Sequence, residues 1–205
     1  MSAMTIAAVR EQIGASIAVK QALLSDEALL DSTVRVAQVI ERALRAGNKV
    51  MLAGNGGSAA DAQHLAAEFV SRFEFDRPGL ASIALNTDTS MLTAIGNDYG
   101  YDHVFARQVE ANGRSGDVFI GISTSGNSKN VLRAVESCRD RGIVTVALCG
   151  SGGRLREVCE HVVAVPSTHT PRIQESHILL GHVICGLVES SIWGASHAPA
   201  TTRNA

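Results

Sequence analysis

Apolar residues recur at helical spacing near the start of the chain, at Ile6, Val9, Ile13 and Ile17, and again at Leu29, Leu30, Val34, Ala37, Ile40 and Leu44. Two helices therefore precede any strand. The first is expected to end near Ser25, which with Asp26 and Glu27 supplies start residues for the second, and Gly47 provides a left-handed stop. From Val50 the pattern changes. Short apolar runs (VMLAG, LASIALN, DVFIGIS, VTVALCG, HVVAVPS) alternate with helical stretches, as strands of a parallel sheet do when helices cover both faces. The expected fold is α/β, a three-layer doubly wound parallel five-stranded sheet with two N-terminal helices. A last helix is expected over about 173–193, and the small, polar GASHAPATTRNA beyond it reads as a frayed tail. The chain then forms one domain over 1–205: helices in 1–47, the α/β core and final helix in 48–193, and a flexible tail in 194–205.

Composition narrows the setting. At 205 residues and 45% apolar content the chain can bury one good core. A net charge of −2 without a long basic block gives no electrostatic footprint for nucleic acid or a membrane surface. The four cysteines, Cys138, Cys149, Cys159 and Cys185, lack Cys-x-x-Cys spacing and read as small buried hydrophobes in a reducing compartment. The N-terminus lacks the arrangement of a signal peptide, and no segment is expected to approach the apolar length of a membrane span, so a cytoplasmic protein is expected.

In a doubly wound sheet, ligands collect beyond the carboxyl ends of the strands. The run GISTSGNS puts Ser123, Thr124, Ser125 and Ser128 where a strand hands over to a helix, so hydroxyls and free N–H groups meet the positive end of a helix dipole. With no Lys or Arg among them, they suit a phosphomonoester better than a triphosphate; the plain alternative is a Ser/Gly-rich loop closed by an N-cap. After the first strand, Gly54, Gly56 and Ala59 satisfy a dinucleotide fingerprint, yet no acidic residue ends the next strand. The same loop can instead offer Asn55, Gly56 and Gly57 to a sugar, with Ser58 opening the helix. His64 and Glu68 lie one turn apart on one face, which suits a metal or a simple ion pair. Gln174, His177 and His182 interrupt an otherwise apolar final helix, and imidazoles there need partners.

Together, GNGGSAADAQHLAAEF, IALNTDTSMLTAIGND, GISTSGNS and RIQESHILLGH resemble, in one colinear register over about 48–189, the sugar isomerase (SIS) domain family, and within it the isomerases of seven-carbon sugar phosphates. The resemblance implies conversion of sedoheptulose 7-phosphate to D-glycero-D-manno-heptose 7-phosphate, for the heptose of lipopolysaccharide or capsule, by a homotetramer with zinc in each site. It implies metal ligands at His64, Glu68, Gln174 and His182 and sugar contacts at Asn55, Gly56, Gly57, Ser58, Asn97 and Asp98, with Glu68 and Gln174 also facing substrate. Phosphate contacts fall on Ser123, Thr124, Ser125 and Ser128. The chemistry needs a base, an acid and an oxyanion stabiliser; Glu68 and His182 are the catalytic candidates, with Asp61 and Asp98 in reserve. The chain departs from some relatives at Pro171, where they carry an aspartate before the arginine. The competing reading is a non-catalytic SIS scaffold that associates with the bacterial replication initiator; such proteins lack the counterparts of Glu68 and His182, which this chain has.

Eight residues on one helix mean about 12 Å of rise and roughly 80° of rotation. Gln174 and His182 would therefore share a metal only if the helix were irregular near Pro171 or one of them came from a neighbouring chain. A final helix apolar nearly all round and the two N-terminal helices also call for a partner.

Overall fold

The structure is a computed structural model and describes residues 4–197. The apolar runs become β1 (Val50–Gly54), β2 (Ser82–Ala84), β3 (Val118–Ser123), β4 (Val144–Cys149) and β5 (His161–Ala164), all parallel, in the order β2-β1-β3-β4-β5. The chain leaves β1 toward β2 on one side and returns to β3 on the other. The switch point thus lies between β1 and β3, where Gly54 pairs with Ile122, and a crevice opens there. The run LASIALN is mostly not strand: only three residues pair, while the Leu80 N–H donates to the Phe69 carbonyl at the sheet's edge.

Alternation along the strands feeds two cores. Val50, Leu52, Val118, Ile120, Val146 and Leu148 pack on one side with Ile40, Phe69 and Ile184; Met51, Ala53, Phe119, Ala147 and Cys149 pack on the other with Phe105, Val109, Val131 and Leu155. On the first side lie α2 (Glu27–Arg45), α3 (Gly57–Val70) and α8 (Thr170–His197). On the other lie α5 (Ala106–Asn112), α6 (Lys129–Arg139) and the single turn α7 (Leu155–Val158). Between β2 and α5 run α4 (Thr89–Tyr99), which buries no residue, and a 3₁₀ turn at Tyr101–His103.

The two N-terminal helices differ sharply. In α2, Asp26 caps the first turn through the Leu29 N–H, Gly47 follows the last turn at φ 80°, and seven residues from Leu29 to Ala43 are buried. In α1 (Ile6–Leu24), capped by Thr5, only Leu23 is buried, and Ile6, Val9, Ile13 and Ile17 are 50–73% exposed. Polar contacts tie α1 to α8: Ser16 donates to Glu175 at 2.7 Å and Arg172 to the Gln12 carbonyl at 2.6 Å.

Helix α8 corrects three expectations. It is one helix from Thr170 to His197, with Pro171 in its first turn, where the missing N–H costs nothing, so there is no irregularity there. It carries the first four residues of the expected tail; the rest, 198–205, lies outside the described residues. Its Thr170–Gly194 stretch, at mean hydropathy 1.2, is long and apolar enough to cross a membrane, contrary to the sequence expectation. Here it packs on α1, α2 and α3 and carries Gln174, Glu175, His177, His182 and Glu189. All four cysteines are free, and burial pushes the thiols up, Cys149 to about 11 and Cys185 to about 12.

Candidate active site

The β3–α6 loop folds into a closed cradle. Ser128 starts α6 with extended backbone, but its hydroxyl does not cap the helix; it lies 2.9 Å from Ser123 Oγ, which is 3.4 Å from Ser125 Oγ. Three hydroxyls thus meet at the positive end of an eleven-residue helix, beside the backbone of half-buried Thr124. Gly126 turns the loop at φ 67°, so close to Gly152 that an added Cβ would lie 2.5 Å from that carbonyl, and a Cβ on Gly153 would lie 2.2 Å from the Ser125 carbonyl. The loop is pinned from the β4–α7 side: Gly150 and Leu155 donate N–H groups to the Thr124 and Gly126 carbonyls, and Asn127 accepts from Arg154 N–H at 3.0 Å.

The β1–α3 loop lies alongside. Asn55 exchanges two 2.9 Å hydrogen bonds with Asn130 in the first turn of α6, locking the loops together. Gly54 has no room for a side chain, since a Cβ would stand 2.6 Å from the Ser58 carbonyl; the first turn of α3 folds straight back over the strand end. Gly56, at φ 57°, takes the cap position and α3 begins at Gly57, so Ser58 lies inside the first turn and is 3% exposed. The exposed backbone of Gly56 and Gly57 faces solvent.

Farther along α3, side chains from two helices converge. His64 Nε2 lies 3.1 Å from Glu68 Oε1 and 2.9 Å from His182 Nε2 of α8, and one donor atom from each of the three falls within 4.8 Å of the others. They can meet because α3 and α8 lie side by side, with Leu65 pressed against Gly181 where a Cβ would leave 2.6 Å. Tetrahedral zinc with bonds of about 2.0–2.2 Å sets its donors about 3.4 Å apart. Two imidazoles and a carboxylate at these spacings fit a divalent ion after a small separation, leaving a fourth position.

Gln174 is not in this cluster. Its amide lies over the start of α3, 2.6 Å from where a Gly57 Cβ would be, and about 12 Å along α8 from the level of His182. Asn97 and Asp98 bond to each other at 2.8 Å on the exposed face of α4. Asp61, one turn before His64, is half-buried with Oδ2 unpartnered, and burial lifts its pKa to about 6 against the pull of His64. His177 is fully buried; burial drops its pKa to about 4 although the Cys149 backbone raises it, and neither ring nitrogen has a partner at hydrogen-bond distance among the described residues.

Sequence reading missed a buried ion pair beside the cluster. Arg77 and Glu189, whose side chains are each 1% exposed, meet at 2.9 Å. Burial raises the Glu189 pKa, but the Glu74 and Phe73 amides and Arg77 outweigh it and hold the carboxyl below its usual value. The available signal was a lone glutamate in the apolar run ICGLVESSIW and an arginine just before Pro78.

Comparison with known proteins gives a consistent picture. The SIS domain matches residues 10–150. A phosphoheptose isomerase of Aneurinibacillus thermoaerophilus is 59% identical over 186 residues, covering 90% of this chain and 94% of its own, and phosphoheptose isomerase 2 of Campylobacter jejuni is 61% identical over 180 residues, covering 87% and 90%. Among solved structures, phosphoheptose isomerase GmhA of Neisseria gonorrhoeae superposes with TM-score 0.83 at 46% identity over 89% of this chain and 97% of that one. A phosphoheptose isomerase of Francisella tularensis gives 0.87 at 35% identity over 91% and 100%.

Proposed function

The chain belongs to the SIS domain family and is a phosphosugar isomerase of the phosphoheptose isomerase group, and from that premise we propose that it converts sedoheptulose 7-phosphate to D-glycero-D-manno-heptose 7-phosphate in the cytoplasm, supplying heptose for lipopolysaccharide or capsule. The observation that carries this reading is the pairing of a hydroxyl-lined cradle at the sheet's switch point with a convergent imidazole–carboxylate–imidazole cluster. Ser123, Thr124, Ser125 and Ser128 hold the phosphate, and Asn55, Gly56, Gly57, Ser58, Asn97 and Asp98 line the sugar's path.

Ketose and aldose interconvert through an enediol: a base takes a proton from C1 as O2 gains one, then C2 receives a proton as O1 gives one up. Glu68 and His182 share the acid and base roles, and His64 orients both across its 2.9 and 3.1 Å contacts. Zinc held by His64, Glu68, His182 and Gln174 would supply Lewis-acid polarisation of the carbonyl.

Because α8 is unbroken, Gln174 and His182 of one chain do not reach one ion. We assign the fourth ligand to Gln174 of a neighbouring chain in a homotetramer. The exposed apolar faces of α1 and of α8 (Leu179, Val183 and Leu187, 40–43% exposed) support that assembly. Incubating the purified protein with sedoheptulose 7-phosphate, with and without a chelator, and following the aldose by NMR tests the reaction; no aldose from metal-replete protein would refute it. Mixed tetramers test the sharing. Glu68→Gln subunits combined with Gln174→Ala subunits should regain activity over either parent, whereas Glu68→Gln combined with His182→Gln should not, since these two lie in one cluster.

A further inference from the structure

Helix α3 ends at Val70, only two residues after Glu68, so the last turn that carries Glu68 is also the turn whose carbonyls have no intrahelical donors. Arg77 supplies donors to two of them, the carbonyls of Glu68 and Phe69. Its Nη2 reaches the Glu68 carbonyl at 2.8 Å and its Nη1 reaches the carbonyls of Phe69 at 2.6 Å and of Ser71 and Pro78 at 3.2 Å, while its charge faces the negative end of the helix dipole. Nε is held by Glu189 of α8. The same Glu189 carboxylate accepts the N–H groups of Phe73 at 2.8 Å and Glu74 at 2.7 Å. That places the Phe73 ring 5.6 Å from the His182 ring, over Gly186, where a Cβ would lie 3.3 Å from the phenyl carbon. One buried pair therefore fixes the backbone under Glu68 and the ring packed on His182.

We propose that Arg77 and Glu189 are positioning residues of the active site, setting the distance between the Glu68 end of α3 and the imidazole of His182 and so the strength with which His64, Glu68 and His182 grip a divalent ion. The inference rests on the metal reading above. A buried ion pair is weak evidence of stabilisation for its own sake, since an apolar pair of like volume often serves as well. What an apolar pair would not do here is donate to four carbonyls on one side, of which only that of Phe69 also accepts the Leu80 N–H, and accept from two amides on the other.

The test uses the full-length protein stripped of metal. Zinc affinity is measured by competition with a chromogenic chelator, and inorganic phosphate binding by calorimetry, for wild type, His64→Ala, Arg77→Lys, Glu189→Gln and Phe73→Leu. Arg77→Lys keeps the charge and loses the fork; Glu189→Gln keeps the shape and loses one acceptor pair. Each of these two, and Phe73→Leu, should weaken zinc at least about tenfold, a coupling of roughly 1.4 kcal/mol, with phosphate binding within about twofold of wild type. Zinc affinity equal to wild type, or zinc and phosphate falling together, would overturn the proposal. Should the two charge variants fail to fold, half-buried Phe73→Leu decides alone on the same criteria. If wild type binds zinc no better than His64→Ala, the metal reading itself fails and this inference goes with it, an outcome distinct from tight wild-type binding matched by the variants.

Discussion

The cradle after β3 and the cluster between α3 and α8, which we propose are two halves of one site, are built by opposite means. The cradle comes from one stretch of sequence, its shape is set by backbone hydrogen bonds and left-handed glycines, and its hydroxyls pair with each other. The cluster joins residues 118 apart, stands on side chains alone, and leaves two imidazole nitrogens 2.9 Å from each other. A backbone-set site keeps its form before a ligand arrives. A side-chain-set site has the form that its surroundings press on it. Binding and turnover should therefore separate under substitution.

The largest expected effect strikes the cradle. Gly153→Ala must place a side chain at φ 94° and 2.2 Å from the Ser125 carbonyl, so the loop has to move; with strain of order 1–3 kcal/mol on top of the clash, affinity for the sugar phosphate should fall at least about 100-fold by calorimetry. Zinc affinity should be unaffected. Next comes His177, fully buried on α8. Its folded pKa of about 4 is below the unfolded 6.5, so the unfolded chain takes up the proton first and stability, full above about 6.5, is lost as pH falls toward 4. Between pH 6.5 and 5 the loss should be about 1.6 kcal/mol in urea unfolding, and His177→Leu should remove that slope. Third, Ile13→Asp with Ile17→Asp puts charge on the exposed face of α1. Sedimentation should show a species smaller than wild type, and on the proposed sharing of Gln174 between chains activity should drop at least about tenfold, with the cradle intact. The smallest effect is Ser128→Ala, which removes one hydroxyl and should weaken phosphate binding by about tenfold or less.

The same contrast explains what the sequence disclosed. The geometry of the cradle was legible because all its parts are local: strand, hydroxyls, glycine and helix start lie in one run, and helix-terminus physics favours an anion there. The five strands and α2 were legible from periodicity. For the cluster, spacing offered His64 with Glu68, but nothing local tied them to His182; only the resemblance did. The Arg77–Glu189 pair gave no periodic signal at all, since its purpose is to satisfy backbone groups that sequence does not display. The length of α8 was underestimated because the small residues after Trp193 read as tail, and its apolar run was undercounted because scattered polar residues broke it up. The exposed face of α1 was visible as a pattern and points to a surface that one chain alone does not cover.

The most direct test of this division of labour is one variant measured twice. Glu68→Gln keeps the size of the side chain and removes the charge that faces His64 at 3.1 Å. Turnover of sedoheptulose 7-phosphate, followed by NMR, should fall at least about 100-fold, since proton relay contributes on the order of 10² to 10⁴. Calorimetric affinity for the same sugar phosphate should stay within about threefold of wild type, because the cradle holds it. Turnover near wild type, or affinity lost in step with turnover, would contradict the account.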